Sequence, residues 1–263
     1  CTDDCHAETL VSEGHMDRVL RHAIALGLAP MTALQMATLN TAEHFGLSRE
    51  IGQIAPGRWA DILLVDDLEN FRAQLVIARG RIAAEGGKVL VSLPETLYPD
   101  WARRSIHLKR AVNADDFIIR YAGGGTKVRV NVIGVIENQA PTRHLTLEMR
   151  PEGNEIKPDP SRDLAKVALV ERHHGTGTIQ VGFVQGFGFQ GKCAVASTVA
   201  HDCHHILVAG TDEKDMSLAV NRLAETGGGQ VVIREGEVIG QVDLPIGGLM
   251  SNLPADKVAS QAR

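Results

Sequence analysis

The chain has 263 residues, 44% hydrophobic and 22% charged, with a formal net charge of −5. That length holds one large domain or two to three small ones around an ordinary packed core, and the negative balance without any long Lys/Arg run excludes nucleic-acid binding through a basic face. No apolar stretch approaches ~20 residues, which excludes a transmembrane helix; with no signal-peptide pattern and only four cysteines, a cytoplasmic setting is expected.

The chain opens "CTDDCHAETLVSEGH", with the adjacent carboxylates Asp3 and Asp4 followed by Cys5 and His6. Residues 13–28 then place Met16, Val19, Leu20, Ala23 and Ile24 at i, i+3, i+4, i+7 and i+8. That spacing predicts an amphipathic helix, with Gly27 at its C-terminal stop. "PMTALQMATLNTAEHFGL" predicts a second helix with Thr32 as N-cap, an apolar face of Leu34, Met36, Ala37, Leu39 and Ala42, and Gly46 as its end. At residue 51 the texture changes. "IGQIAPGRWADILLVD" carries a Pro-Gly turn and an apolar run of strand length, Ile62 to Val65, and "AQLVIARGRIAAEGGKVL" reads as a hairpin turning near Arg79-Gly80. Residues 93–116, with Pro94, Pro99 and several charges, read as a connector.

From residue 117 strand signals dominate, in "FIIRYAG", "KVRVNVIGVI" and "RHLTLEM". After the polar, Pro-rich "RPEGNEIKPDPSRD" come "LAKVALVERHHGTGTIQVGFVQGFGF", "KCAVASTVAH" and "HHILVAGT". Met216, Ala219, Val220 and Leu223 are at helical spacing ahead of three glycines, and "QVVIREGEVIGQV" closes as a hairpin. This order suggests a separate α/β or α+β domain.

Few residues offer chemistry. Asp3 or Asp4 could cap a helix, or stand at a strand end in the mouth of a βα barrel, where catalytic carboxylates sit. A zinc knuckle from Cys1, Cys5, His6, Cys193 and Cys203 is disfavoured, because no two of them form a CxxC pair. His15, at the start of the first helix, reads as a packed helix histidine or as a partner behind a site. The run His201, Asp202, Cys203, His204, His205 is the most ligand-rich stretch present. Read as extended chain, it would send His201, Cys203 and His205 to one face and Asp202 and His204 to the other. A pocket rim or domain interface then suits it better than a single metal centre. His173-His174 before Gly-Thr-Gly-Thr signals a loop, without the strand–loop–helix context of a phosphate loop.

The stretch from Ala33 to Ala83 adds an ordered set of matches. Thr38, Asn40 and Ala42 are followed by Gly52, Ile54, Gly57, Ala60, Asp61 and Ile62 in the pattern T-x-N-x-A … G-x-I-x-x-G-x-x-A-D-I. This run resembles the C-terminal signature of the amidohydrolase superfamily, with Thr41 where Pro is usual. Together with "CTDD…EGH", "LENFRAQLVIARGR" and the distal "FVQGFGFQGKCAVASTVAHDCHHILVAGTDEKDMSLAVNRL", it makes nearly the whole chain similar to the adenine deaminase family of that superfamily.

The resemblance implies an organisation. Residues 1–50 would be the last strand and helices of a metal-dependent (β/α)8 barrel, 51–92 a small β-sandwich segment, 93–116 a connector and 117–263 a C-terminal α+β domain. It implies hydrolytic deamination of adenine to hypoxanthine and ammonia in purine salvage, with a divalent metal, manganese or iron, in a binuclear site. Asp3 matches the strand-end carboxylate that ligates metal and shuttles a proton; Asp4, His201, Asp202 and His204 are candidates for the substrate pocket. An H-x-H pair and the other ligands of such a site are absent, so the chain reads as the C-terminal portion of a longer enzyme, inactive alone. Its partners would be adenine, the N-terminal barrel segment and further copies in a homo-oligomer, with no nucleic acid and no membrane. Two alternatives stand: a non-catalytic packing or oligomerisation module, or another amidohydrolase such as a different purine deaminase.

Overall fold

The structure, a computed structural model, describes residues 1–94 and 96–263. It is a mixed α/β protein of two compact units, Cys1–Leu97 and Tyr98–Arg263.

The first unit begins with four short helices, α1 (Ala7–Ser12), α2 (Met16–Ala25), α3 (Pro30–Ala37) and α4 (Leu39–His44). The apolar stripe of α2 buries Leu20 against Ala33 of α3 and Phe71, with Ile24, Leu28, Leu34 and Val65 around them. Asp17 and Arg21, one turn apart on α2, pair at 2.7 Å. The expected second helix is two helices. It starts on Pro30 at the first helical position, with Ala29 as N-cap in place of Thr32, because the fixed φ of proline suits that site and its missing N–H costs nothing there. At Thr38 the backbone leaves the helical region (φ −127°, ψ −88°), and the Thr38 hydroxyl donates back to the Leu34 carbonyl at 2.6 Å.

A four-stranded antiparallel sheet follows in the order β1 (Ile62–Val65), β2 (Ala73–Ala78), β3 (Arg81–Glu85), β4 (Lys88–Val89). The β2–β3 hairpin turns at Arg79-Gly80, and the Asp61 carboxylate anchors the turn by accepting the Arg79 N–H at 2.7 Å. Gly52 sits where α4 meets the loop ahead of the sheet. At φ +98° a Cβ there would lie 2.8 Å from Ala42 Cβ and 3.1 Å from Leu39 Cα, so only glycine lets the two backbones approach. Residues 1–6 form no strand. A strand exists only by hydrogen-bonding to a neighbour, and no described strand of the chain pairs with them.

The second unit opens with α5 (Asp100–Arg103) and builds an eight-stranded sheet in the order β14-β13-β11-β12-β9-β10-β6-β7. Its strands are β6 (Val128–Gly134), β7 (Arg143–Met149), β9 (Leu164–Val170), β10 (Ile179–Gln185), β11 (Cys193–Ser197), β12 (Ile206–Gly210), β13 (Gly229–Arg234) and β14 (Glu237–Asp243). All neighbours are antiparallel except β10 with β6. A separate two-stranded ladder joins β5 (Ile119–Arg120) to β8 (Glu155–Ile156).

The helix α6 (Glu213–Thr226) covers one face. Its Met216, Ala219, Val220 and Leu223 are fully buried against Ala194, Ala196, Ile206, Val208, Val231 and Ile233; burying each large side chain there contributes about 1.5–3 kcal/mol. The Asp212 carboxylate caps α6 by accepting the Lys214 and Asp215 N–H groups, and Gly227 ends it in the left-handed region. Val132, Met149, Ile156, Leu164 and Phe183 form a second core under the other end of the sheet. The C-terminal α7 (Ala255–Gln261) packs on β14. Among the described residues no helix is long and apolar enough to cross a membrane.

Candidate functional site

Asp3 and Asp4 lie in the irregular segment ahead of α1, both exposed. Asp3 has φ 55°, a left-handed conformation that Asp tolerates better than most residues. Its Oδ1 accepts the Asp4 N–H at 2.9 Å. Neither aspartate caps α1, whose N-cap is His6 without a side-chain bond. His15 is not packed in a core: it is the exposed N-cap of α2, and its N–H is held by the Asp17 carboxylate at 2.8 Å.

The first unit also carries an apolar groove of about 740 Å³, lined by Met31, Leu34, Phe45, Ile54, Trp59 and Phe71 among others. Large side chains stand exposed along it and beside it, including Ile54, Phe45, Leu63 and Leu64. Exposed apolar side chains gathered beside a groove are the kind of surface that a partner or a ligand covers.

The other chemistry-bearing cluster is in the second unit, where the turn after β9 meets the turn after β11. Residues 201–203 form a turn rather than an extended segment, so the expected alternation of faces does not hold. A turn folds the chain back, and the His201 and His204 rings come within 5.2 Å of each other. His201 Nδ1 is 4.0 Å from Asp202 Oδ1, and the Asp202 side chain is fully exposed. From the other turn, His173 Nε2 is 2.9 Å from the Cys203 carbonyl, and its ring lies 4.8 Å from that of His205. The rings of His204 and His205 each leave a buried Nδ1 without a hydrogen-bond partner.

Two residues that composition and spacing did not single out hold this cluster. Arg172 is 1% exposed. Its guanidinium donates to the carbonyls of His204 (2.5 Å), Ser105 (3.1 Å) and Gly247 (3.1 Å) and to the Ser105 hydroxyl (3.2 Å). Burial lowers its pKa from the ordinary arginine value. Glu171 closes its own turn: its carboxylate accepts the N–H groups of His173, His174 and Thr176 and the Thr176 hydroxyl. Burial disfavours its charged form, but these donors outweigh that and hold the carboxyl at about 2. The sequence signal available was an acidic residue four positions ahead of the first glycine of a Gly-Thr-Gly-Thr turn, where a carboxylate finds backbone donors.

Among the described residues, no three His, Cys, Asp or Glu side chains gather into a group that could hold a metal ion. All four cysteines are free thiols. The residues present therefore do not by themselves fit a metal centre; Asp3 offers one carboxylate and no described companion ligand.

An amidohydrolase family model matches residues 1–83, and the model of the adenine deaminase C-terminal domain matches residues 139–263. The chain is 54% identical over its whole length to a protein of Ruegeria pomeroyi named adenine deaminase, of which it covers 44%. It is 52% identical to the protein of that name from Roseobacter denitrificans, covering 43% of it, and 48% identical to the one from Moorella thermoacetica, covering 44%. The chain thus spans less than half the length of the curated relatives it matches.

Proposed function

We propose, on the premise that this chain is related from end to end to the C-terminal portion of proteins named adenine deaminase, that it supplies that portion of an enzyme hydrolysing adenine to hypoxanthine and ammonia in purine salvage. The observation that carries the reading is the 54% identity over all of the chain, with the adenine deaminase C-terminal domain matched in the second unit.

The first unit fits a supporting role. Its apolar groove and the exposed Leu63 and Leu64 want a partner surface, and the relatives are more than twice as long as this chain. The N-terminal barrel segment of the same enzyme is the proposed cover. Residues 1–6 would become the last barrel strand when that segment offers a strand to pair with. The sandwich would likewise be completed by strands from outside the β1–β4 sheet.

Asp3 is the proposed catalytic carboxylate and the one metal ligand this chain provides. Its Oδ2 takes a proton from the attacking water as the oxygen bonds to C6 of the purine. The proton then passes to the exocyclic nitrogen, whose bond to C6 breaks as ammonia leaves. One carboxylate performs both transfers, as general base and then general acid. The divalent metal of the family, with manganese or iron in a binuclear site as the finer proposal, needs its remaining ligands from outside this chain. Asp4, His201, Asp202 and His204 are proposed at the substrate pocket, His201 and His204 as a ring pair at its rim.

The test is a substrate screen on the intact enzyme. Release of ammonia from adenine in preference to other purines is expected. A preference for another purine, or for the cyclic amide substrates of other amidohydrolases, sinks the assignment.

A further inference from the structure

We infer that the turns 171–178 and 198–205 form a pH-sensitive latch, closed while His205 is neutral and opened when it takes up a proton. The inference does not rest on the deaminase reading, and activity is not its readout.

The contact is built from two consecutive residues. Arg172 donates to the His204 carbonyl and His173 Nε2 meets the Cys203 carbonyl at 2.9 Å, so one turn grips the other through its backbone. The gripped turn is closed on itself by the His204 N–H to the Ala200 carbonyl at 2.7 Å. Between the two turns the His173 and His205 rings pack at 4.8 Å, inclined by 48°.

This packing suits a neutral His205. A neutral ring can leave one nitrogen bare, but an imidazolium carries N–H on both. The Nδ1 of His205 is buried with no partner, so a proton there would bury a donor with no acceptor, at the cost of desolvating it. The charges around His205 add to this. Arg172, His173 and His174 oppose a proton there, Glu171 favours one, and burial opposes it most, so its pKa lies below the ordinary histidine value. Glu171 is the only carboxylate of the facing turn, and both its oxygens are committed to backbone and hydroxyl donors of that turn. On the gripped turn itself, Asp202 points its exposed side chain beside His201, and Cys203 donates its thiol to the Ala200 carbonyl. Ser105 and Gly247, which also bind Arg172, do not titrate.

The sign follows. His205 binds its proton more weakly in the closed state than in the open one. The latch is fully favoured above about pH 6.5, the ordinary histidine value, and loses ground as pH falls below it. Each proton taken up on opening raises the open-to-closed ratio by up to about tenfold per pH unit.

The experiment is backbone amide hydrogen exchange of the intact protein at pH 7, 6 and 5, followed in peptides spanning 198–206 and corrected for the intrinsic pH dependence of exchange. The wild type is expected to open more at pH 5 than at pH 7, by up to about tenfold per pH unit below about 6.5, while β9 and β12 keep their protection. His205→Gln removes the titrating ring and is expected to flatten that dependence. His173→Gln, which keeps an amide donor for the Cys203 carbonyl, is expected to weaken it and serves if the first variant does not fold. Protection of 198–206 that is constant from pH 7 to 5 in the wild type overturns the latch, as does an unchanged pH profile in either folded variant.

Discussion

The ammonium of Lys166 lies 2.5 Å from Glu213 Oε1 and 2.9 Å from the Phe117 carbonyl, with the lysine side chain 1% exposed and the glutamate 27%. The pair joins β9 to the first turn of α6 across an apolar sheet. Removing one partner of such a pair strands the other. Glu213→Ala is therefore expected to cost about 3 kcal/mol, because it leaves a buried cation with a single carbonyl. Lys166→Met, which fills the same space without a charge and leaves a glutamate that water can reach, is expected to cost less. Urea unfolding midpoints of the two variants decide it: equal losses, or a larger loss for Lys166→Met, refute the account.

Gly229 begins β13 at φ +144°, and a Cβ built there runs into the Val242 carbonyl oxygen of the paired strand β14. Backbone cannot step aside as a side chain can. Gly229→Ala combines that collision with a backbone conformation closed to L residues and is expected to destabilise the second unit by about 2 kcal/mol or more. Thermal unfolding followed by circular dichroism measures it; a melting temperature within a degree of wild type would contradict the geometry.

Local pattern carried much of the fold and little of the cluster. Ile62–Val65, the Arg79-Gly80 turn, the strands from Val128 to Met149 and the spacing of Met216, Ala219, Val220 and Leu223 are where the sequence places them, because alternation, helical period and turn residues are properties of neighbours along the chain. Pro30 displaces Thr32 at the start of α3 for an equally local reason, its fixed φ at the first helical position. The contacts around Arg172 are different in kind. Ser105, His204 and Gly247 are 67, 32 and 75 residues away in sequence, and no local period reports a partner at that range. Lys166 hides in the apolar run "LAKVALV" for the same reason, its counter-ion 47 residues distant. The segment 201–205 reads as extended because it lies between two apolar strand signals; its turn closes on the Ala200 carbonyl and is gripped by Arg172 and His173 from another part of the chain. At the opening, Asp3 was singled out through the family likeness. Its side chain stands exposed, with the adjacent Asp4 N–H on Oδ1.

Glu171 gives the acid side of the pH response. Its carboxyl is held at about 2 by the Thr176, His174 and His173 N–H groups and the Thr176 hydroxyl, against the opposing effect of burial. The folded value is below the unfolded one of about 4.3, so the stabilisation is complete above that pH and is lost as pH falls toward 2. Glu171→Gln cannot ionise. Its stability is expected to be lower than wild type at pH 7 and to vary less between pH 4.5 and 2, measured by unfolding midpoints across that range. A variant whose midpoint falls with acid as steeply as the wild type would show that this carboxylate is not the responsible group. The window lies below that of the histidine latch, so the two responses separate on one pH series.

On the proposed function, deamination turns on Asp3. In the complete enzyme, Asp3→Asn keeps the size of the side chain and its acceptor for the Asp4 N–H but removes the group proposed to carry a proton from water to the leaving nitrogen. General acid–base catalysis of this kind contributes roughly 10²–10⁴-fold, so kcat for ammonia release from adenine is expected to fall by at least about a hundredfold. Asp4→Asn, which leaves the Asp3 carboxylate in place, is expected to act mainly on KM if Asp4 faces the purine. The contrast between the two neighbours separates chemistry from disturbance of the segment ahead of α1, since both substitutions are isosteric and both sites are exposed. The 263-residue chain alone is expected to release no ammonia, because Asp3 is the one metal ligand proposed in it and no group of ligands gathers among its described residues. Near-normal turnover by Asp3→Asn removes Asp3 from the mechanism, whatever the identity of the substrate.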